Sequence, residues 1–200
     1  CYPERMSDEI LRLIAEEPKV CKYLDLPLQH ISDSILKAMR RRSSEADVRK
    51  TLDRIKTVVP GIALRTNFIV GFPGETEADV HKLEQLIKEV RFHKVGVFTY
   101  WQERGTPASE LPGQIPEKIK QKRAERIINV QSRVIDDMHM QKIGSIVTIL
   151  MDTPTVGRTA QDAPDIDGVV QLSQRQLSGA FIRAKLTGFT GYTFQGVSVT

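Results

Sequence analysis

Apolar strand segments alternate with capped amphipathic helices over the first hundred residues, and this alternation limits the possible folds more than any other feature. The pairs Ser44/Asp47 and Thr76/Asp79 each have the spacing of a capping box at a helix start. Strands that alternate with helices of about 12 to 15 residues predict right-handed crossovers and a parallel sheet, and therefore an α/β fold. The predicted strands are 22–28, 62–71 and 95–100.

The predicted sheet is incomplete. Three strands are too few for a parallel sheet that buries both faces, so we expect half of the sheet to be missing. The chain begins Cys1-Tyr2-Pro3 without an initiator Met or a signal-peptide pattern, and we expect it to be a fragment. An unpacked inner face and an open edge strand predict self-association. The residues assigned to that inner face are Leu24, Leu26, Leu64 or its neighbours, and Val97.

A second domain is predicted after residue 140. A basic amphipathic helix occupies about 116–140, and from Gly144 the apolar period changes from helical to alternating. Such short segments, separated by Gly, Asp and Pro, are typical of a small antiparallel OB-like β-barrel. We therefore divide the chain into 1–140 and 141–200. The apolar segments of the second part are 145–151, 168–172, 181–186 and 192–199.

Composition excludes several classes of protein. The hydrophobic fraction of 40% and the charged fraction of 27% are those of ordinary globular proteins, and no apolar run is long enough to span a membrane. The net charge of +4 is too small to indicate nucleic-acid binding by itself. Cys1 and Cys21 give no disulfide framework and suit a reducing cytoplasm. Cys21 is expected to be a small buried apolar residue.

Polar segments follow two of the predicted strands, at the edge where parallel sheets bind ligands. The glycine-rich segment 68–76 precedes a helix N-terminus, which favours anions; the alternative is an ordinary strand-to-helix turn. Gln29 and His30 end the first strand, and such a histidine is more commonly a hydrogen-bonded structural residue than a ligand. Arg65 and Asn67 share one face of the second strand and favour a polar cavity over a solvent-exposed edge.

The charged clusters each have two interpretations. The arginine run 40–42 and the basic stretch 118–126 would contact phosphate or an acidic partner, or would form solvated helix faces. Asp162, Asp165 and Asp167 lack the glycine and terminal glutamate of a helix-loop-helix calcium site, so a turn that touches a partner is preferred. Residues 143–200, the predicted barrel, hold four basic and four acidic residues, whereas RNA binding needs a basic face.

Several segments together resemble the radical-SAM methylthiotransferases. They are 26–32 (LPLQHIS), 65–76 (RTNFIVGFPGET) and 95–108, which contains VGVFTY and GTPA. The segments 157–159 and 162–168 resemble the RimO-type branch, which modifies ribosomal protein S twelve, more than the MiaB-type branch, which modifies tRNA. In the tRNA branch the glutamine is usually followed by Ser-Gly-Ser, whereas His30 stands here. The resemblance covers essentially the whole chain.

The resemblance implies a fold, an activity and cofactor contacts. The fold is the C-terminal half of a radical-SAM partial (β/α) parallel barrel, followed by a small antiparallel β-barrel of the TRAM type. The activity is methylthiolation of the β-carbon of an aspartate in ribosomal protein S twelve, with S-adenosyl-L-methionine and two [4Fe-4S] clusters as cofactors. Implied contacts to S-adenosylmethionine are Gln29 at the ribose or methionine moiety, Arg65 at the carboxylate, and the backbone at Val70, Gly71, Phe98 and Thr99 around the adenine.

The sequence departs from the family pattern at the cluster site. The family's CxxxCxxC motif is absent, and neither Cys1 nor Cys21 matches it, so we assign no metal ligand and predict that this chain alone is inactive. We expect a cytoplasmic enzyme that binds ribosomal protein S twelve through Asp162, Asp165 and Asp167, with nucleic acid unlikely as the direct substrate and no membrane contact. The alternatives are a tRNA methylthiotransferase of the MiaB type and a cofactor-free binding module.

Overall fold

The computed structural model describes Pro3 and residues 6–199. The helices are α1 (Asp8–Glu16), α2 (Asp33–Ala38), α3 (Glu45–Val58), α4 (Glu77–Val90) and α5 (Glu117–Met140), with a short 3-10 helix at Pro107–Glu110. The strands are β1 (Tyr23–Asp25), β2 (Ala63–Val70), β3 (Lys94–Thr99), β4 (Ile146–Met151), β5 (Val156–Thr159), β6 (Val169–Leu172), β7 (Phe181–Thr190) and β8 (Thr193–Val199).

The chain divides into two compact units. One comprises Cys1–Glu17 and Leu24–Gln131, and the other comprises Pro18–Tyr23 and Ser132–Thr200. The division falls within α5, and the domain boundary after residue 140 remains a prediction.

Side-chain caps start the longer helices of the first unit. Ser44 and Thr76 each accept the amide N–H of the residue three positions on, Asp47 and Asp79, whose carboxylates accept the cap residue's own N–H in return. Both capping boxes therefore form as the spacing predicts. Helix α2 was not predicted, and the side chain of its N-cap residue, Ser32, makes no capping hydrogen bond.

The first unit is built on a three-stranded sheet in the order β1-β2-β3. β2 and β3 are parallel, in register from Arg65 opposite Lys94 to Val70 opposite Thr99. Helices α2 and α3 lie between β1 and β2, and α4 connects β2 to β3, so the predicted α/β arrangement is confirmed.

The two faces of this sheet differ in burial. Leu64 and Phe68 of β2 are buried, whereas Arg65, Asn67 and Ile69 on the opposite face are partly exposed. Assigning Leu24, Leu26 and Leu64 to an unpacked face was wrong, because all three are buried. Alternate residues of a strand point to the same face, and these leucines lie on the face that the crossover helices cover. Val97 is half buried. The open face instead exposes Phe98, which lies opposite Ile69 in the register.

The second unit contains a closed barrel in the strand order β4-β5-β6-β8-β7. All its strand pairs are antiparallel except β6–β8, which is parallel. A closed ring with an odd number of strands cannot alternate in direction throughout, so one parallel pair is unavoidable. The predicted OB-like barrel is thus confirmed with one parallel seam. Its core consists of Ile149, Met151, Val170, Leu172, Ala184, Leu186 and Phe194.

Two further details differ from the sequence predictions. β5 is not among the strands that the sequence predicted, and its Gly157 lies so close to Leu150 O that an added Cβ would be 2.7 Å from it. Cys21 is exposed and not buried, because it precedes β1 and is not part of the sheet. Among the described residues, no helix combines the length and the apolar character that crossing a membrane requires.

Candidate functional site

A cleft of about 420 Å³ opens at the carboxyl edge of the three-stranded sheet. This is the edge where strands of parallel sheets present free backbone groups and where ligands bind in such folds. The cleft is lined by Gln29, Ala38, Met39, Arg40, Arg41, Ile69, Phe72, Tyr100, Thr106, Pro107 and Ala108. Its walls therefore come from the segment after β1, the end of α2, the ends of β2 and β3, and the start of the 3-10 helix.

Gln29 enters this cleft from an isolated parallel bridge to β2. Its N–H donates to Asn67 O, and its carbonyl accepts from Ile69 N–H, each at 2.8 Å. These two bonds hold Gln29 at a φ of 69°, in the left-handed region that residues other than glycine rarely occupy.

The end of α2 supplies the basic side of the cleft. Arg41 N–H donates to Leu36 O and Arg40 N–H donates to Lys37 O, which is the Schellman pattern of a helix C-terminus. Arg40 occupies the left-handed position of this motif with a φ of 57°, where glycine is the usual residue.

The floor of the cleft is aromatic. The rings of Phe72 and Tyr100 meet edge to face, with centroids 5.0 Å apart, and Ile35 packs in the same cluster. Lys120 lies behind this floor, donates from Nζ to Tyr100 O at 2.8 Å, and places its ammonium 5.3 Å from the ring centroid of Tyr100. The hydroxyl of Tyr100 is buried and has no hydrogen-bond partner among the described residues.

A buried ion-pair network supports the glycine-rich turn beside the cleft. Ser32 N–H donates to Nδ1 of His30, so Nδ1 acts as an acceptor and Nε2 faces Glu75 Oε1 at 3.2 Å. The other oxygen of Glu75 accepts from Gly71 N–H at 2.7 Å and from Arg123 at 2.8 Å. His30 and Glu75 are both fully buried as side chains. His30 is thus the hydrogen-bonded structural residue that was the commoner interpretation.

Arg123 extends this network to the surface of α4. Its guanidinium also pairs with Glu77 at 3.0 Å, and Arg126 joins Glu77 to Glu84. Neither interpretation of the basic stretch describes Lys120 and Arg123, because both are buried and bonded within the first unit. Their charges fix the turn at the sheet edge and are not presented to a partner.

A second polar group, Asp79, ties α4 to the segment that precedes α2. Its Oδ1 accepts from the Ser32 hydroxyl at 2.5 Å, and its Oδ2 accepts from Thr76. Burial by itself raises the pKa of Asp79, but the hydrogen bonds from Ser32 and Thr76 outweigh it and hold the pKa below its ordinary value.

The residues predicted to contact the cofactor do not all come together. Gln29 lies in the cleft, while Phe98 lies on the open face of the sheet. Arg65 lies on that face near the start of β2 and pairs with Asp25 at 2.5 Å. The backbone at Val70 and Gly71 is hydrogen bonded within the protein, to Tyr100 N–H and to Glu75. Thr99 is paired with Val70 in the register and is half buried.

Asn67 lies on the open face together with Arg65, as the strand parity predicts, but neither residue lines the cleft. Asn67 Oδ1 is buried and has no hydrogen-bond partner among the described residues. A Cβ at Gly96 would lie 2.2 Å from this oxygen, so glycine on β3 makes room for the amide. Asn67 thus presents an unused acceptor on the face that also exposes Phe98.

The aspartate-rich loop of the barrel uses two of its three carboxylates internally. Asp162 accepts from the amide and hydroxyl of Thr159, and Asp167 accepts from Ala163 N–H and the Tyr23 hydroxyl. Asp165 is exposed at the loop tip with a φ of 65°. Asp162 and Asp167 therefore hold the loop together, whereas the Asp165 carboxylate faces solvent.

Comparison with known proteins adds to this geometry. Residues 2–87 match the Radical SAM superfamily, and residues 143–199 match the TRAM domain. The ribosomal protein uS12 methylthiotransferase RimO of Elusimicrobium minutum is 48% identical over 197 residues, which cover 98% of this chain and 46% of that protein. The protein of the same name from Opitutus terrae is 44% identical over 191 residues, which cover 96% of this chain and 41% of the relative.

The chain is similar over nearly its whole length to these uS12 methylthiotransferases. It spans about half the length of the curated relatives it matches. The Radical SAM match covers β1 and β2 and ends before β3, and the TRAM match covers all five strands of the closed barrel.

The sequence analysis missed several residues that line or support the cleft. Tyr100, Lys120 and Arg123 were not selected as site residues, and Glu75 was seen only as part of the glycine-rich motif. The helical period of α5 contains a signal for two of them, because Lys120 and Arg123 precede the fully buried Ile127 by seven and four positions. Both basic residues therefore lie on its buried face.

Proposed function

We propose that this chain is part of an enzyme that methylthiolates ribosomal protein uS12, at the β-carbon of an aspartate. The observation that supports this most is identity of 48% across 98% of the chain to a uS12 methylthiotransferase, because that identity runs through both the open sheet and the barrel. A ribosomal protein substrate places the reaction in the cytoplasm.

The proposed cofactor is S-adenosyl-L-methionine, and the open face of the sheet fits part of it. Asn67 Oδ1 offers a buried acceptor for a hydroxyl or amino group, and Phe98 beside Ile69 offers an apolar surface for a nucleoside. Gln29 adds an amide at the carboxyl edge. S-adenosylmethionine, when bound in the complete enzyme, would supply the radical chemistry that removes hydrogen from the aspartate.

The two [4Fe-4S] clusters of the proposed enzyme do not fit the residues described here. Cluster irons are held by cysteine thiolates, whereas this chain has Cys1 and Cys21, and Cys21 lies in the second unit. Among Pro3 and residues 6–199, no three His, Cys, Asp or Glu side chains are grouped to hold a metal. This chain's proposed part is therefore to form the carboxyl edge of the sheet and to bind substrate.

At the carboxyl edge of the sheet, the buried network around Glu75 holds the turn between β2 and α4 in place. Glu75 holds Gly71 N–H and the Arg123 guanidinium, and His30 holds Glu75. These bonds fix the turn between β2 and α4, and Lys120 fixes the carbonyl of Tyr100 at the end of β3. A rigid edge of this kind keeps a bound substrate and cofactor in one geometry and limits access of water to the reacting carbon.

A protein is favoured over tRNA as the substrate. The barrel holds equal numbers of basic and acidic residues, and its loop tip exposes Asp165 beside Ile166. A polyanionic backbone is repelled by such a loop, whereas a ribosomal protein rich in Lys and Arg is attracted.

The test uses a full-length protein that contains this chain, reconstituted anaerobically with iron and sulfide. We expect a methylthio group on uS12, detected by mass spectrometry, and release of 5'-deoxyadenosine. Modification of a tRNA instead of uS12 would favour the MiaB-type alternative. The 200-residue chain treated in the same way is expected to show no stoichiometric cluster absorption and no 5'-deoxyadenosine.

A further inference from the structure

The cleft at the carboxyl edge concentrates backbone strain. Among the described residues, four that are not glycine have a positive φ: Gln29, Arg40, Arg91 and Asp165. Gln29 and Arg40 line this one cleft, although they come from different segments. Strained backbone persists where the surrounding structure holds it and is concentrated at binding sites.

Arg40 is the more informative of the two. Its place in the Schellman motif is one that glycine occupies without strain, so an arginine there has an unfavourable conformation. The side chain is exposed and lines the mouth of the cleft. A cation is favourable at a helix C-terminus, but glycine would avoid the strained conformation altogether, so the arginine points to a further use for its guanidinium outside the helix.

Tyr100 provides a second and independent observation. Its side chain is nine-tenths buried, it lines the same cleft, and its hydroxyl has no hydrogen-bond partner within the described part of the chain. A buried hydroxyl that lacks a partner is unfavourable, and it is satisfied if a ligand supplies an acceptor.

The residues that line the cleft indicate which class of ligand it binds. The described lining contains two arginines and no acidic residue, so an anion is favoured. A guanidinium and a phenolic hydroxyl both donate hydrogen bonds, which suits a carboxylate, an acceptor with two oxygens. A volume of about 420 Å³ with an apolar floor accommodates one side chain and its flanking peptide.

We propose that this cleft binds the carboxylate of the substrate aspartate, with Arg40 at its mouth and the Tyr100 hydroxyl in its floor. The inference rests on the proposed function and assigns the residues that would select an acidic side chain. The methionyl carboxylate of S-adenosylmethionine has the same chemistry, and the experiment distinguishes the two sources.

The experiment compares variants of the full-length protein that contains this chain. Affinities are measured for a uS12 peptide with the target aspartate, for the same peptide with asparagine, and for S-adenosylmethionine. The unaltered protein is expected to prefer the aspartate peptide by about tenfold, the size of one charge-assisted hydrogen bond. Arg40→Gly and Tyr100→Phe are expected to remove most of this preference and to leave the affinity for S-adenosylmethionine unchanged.

Both variants separate binding from folding. Glycine fits the left-handed position of Arg40, and phenylalanine removes an unsatisfied hydroxyl, so neither is expected to lower the melting temperature. Arg42→Ala is the matched control, because it removes the same charge from the same run but Arg42 does not line this cleft. It is expected to keep the preference for aspartate.

Three results would overturn the inference. The first is an aspartate preference that both variants retain, while the unaltered protein still methylthiolates uS12. The second is a loss of affinity for S-adenosylmethionine in place of the peptide, which would assign the cleft to the cofactor. The third is an unaltered protein that does not modify uS12 at all, which removes the proposed function and with it the substrate assigned to the cleft.

Discussion

Lys120 of α5 packs directly against the left-handed turn at Gly71. A Cβ added at Gly71 would lie 2.3 Å from Lys120 Cγ and 2.9 Å from its Cβ. These atoms belong to the inner part of the lysine side chain, whose Nζ is bonded to Tyr100 O. The lysine therefore cannot move aside without losing a buried hydrogen bond.

Gly71→Ala is expected to destabilise the protein more than the backbone conformation alone requires. Gly61 has the same φ of 76° but nothing within 4 Å of an added Cβ, so Gly61→Ala is the matched control. The left-handed conformation costs alanine about 1 kcal/mol at either site, and the steric clash adds about 2 kcal/mol at Gly71. Urea unfolding measures both, and equal losses at the two sites would contradict the packing described.

Glu75→Gln tests the buried network. The amide keeps the size of Glu75 but loses its charge, which leaves Gly71 N–H and Arg123 without the carboxylate that both contact. Breaking a buried pair from one side is expected to lower the free energy of unfolding by about 3 kcal/mol. The exposed partner of Arg123 provides the control, since Glu77→Gln is expected to cost less than about 1 kcal/mol. Similar effects of the two substitutions would argue against a network centred on Glu75.

The stability of the first unit is expected to fall in acid. The pKa of the Asp79 carboxyl is lower in the folded protein than its ordinary value of about 4. Its contribution to the free energy of unfolding is therefore complete above about pH 4. It is lost as the pH falls below about 4 and through the folded-state pKa. Asp79→Asn is expected to lower stability by about 1 to 3 kcal/mol at pH 7 and to flatten this acid limb. Urea titrations between about pH 3 and pH 7 provide the measurement, and an unchanged acid limb in the variant would be the contrary result.

Separate substitutions in the barrel loop distinguish loop structure from partner binding. Asp162→Ala removes the acceptor for both Thr159 groups and is expected to lower stability by about 1 kcal/mol. Asp165→Asn keeps the left-handed tip, since asparagine tolerates that conformation, and is expected to leave stability unchanged. Thermal melts of the two variants check this, and weaker uS12 binding by Asp165→Asn would assign the partner contact to charge. Normal uS12 binding by that variant would exclude Asp165 from the contact.

The elements of the fold were predictable where the signal is local. Ser44 with Asp47 and Thr76 with Asp79 satisfy backbone groups a few residues away, so the sequence contains both members of each interaction. Helix α2 was missed because it has six residues and Ser32, its cap residue, bonds Asp79 far along the chain. Only the folded chain brings Ser32 and Asp79 together.

The faces of the sheet were harder to predict than its strands. Leu64 and Ile69 are both apolar, and their hydrophobicity does not show which of them points toward the helices. In the structure Leu64 is buried, whereas Ile69 lies on the open face. Lys120 and Arg123 were missed for a related reason. Lys and Arg are rarely fully buried unless they are paired, and their partners Tyr100 and Glu75 lie at least 20 residues away.

The position of β8, which forms the parallel pair of the barrel with β6, affects the order in which the barrel can assemble. β8 is hydrogen bonded on both sides, to β6 and to β7, and it is the last strand in chain order. During synthesis, every barrel strand before β8 therefore emerges while the ring is still open, with two unpaired edges available to other chains. A premature stop or a slow codon just ahead of β8 would prolong this open state, which makes residues 193–199 the segment on which soluble production of the barrel depends.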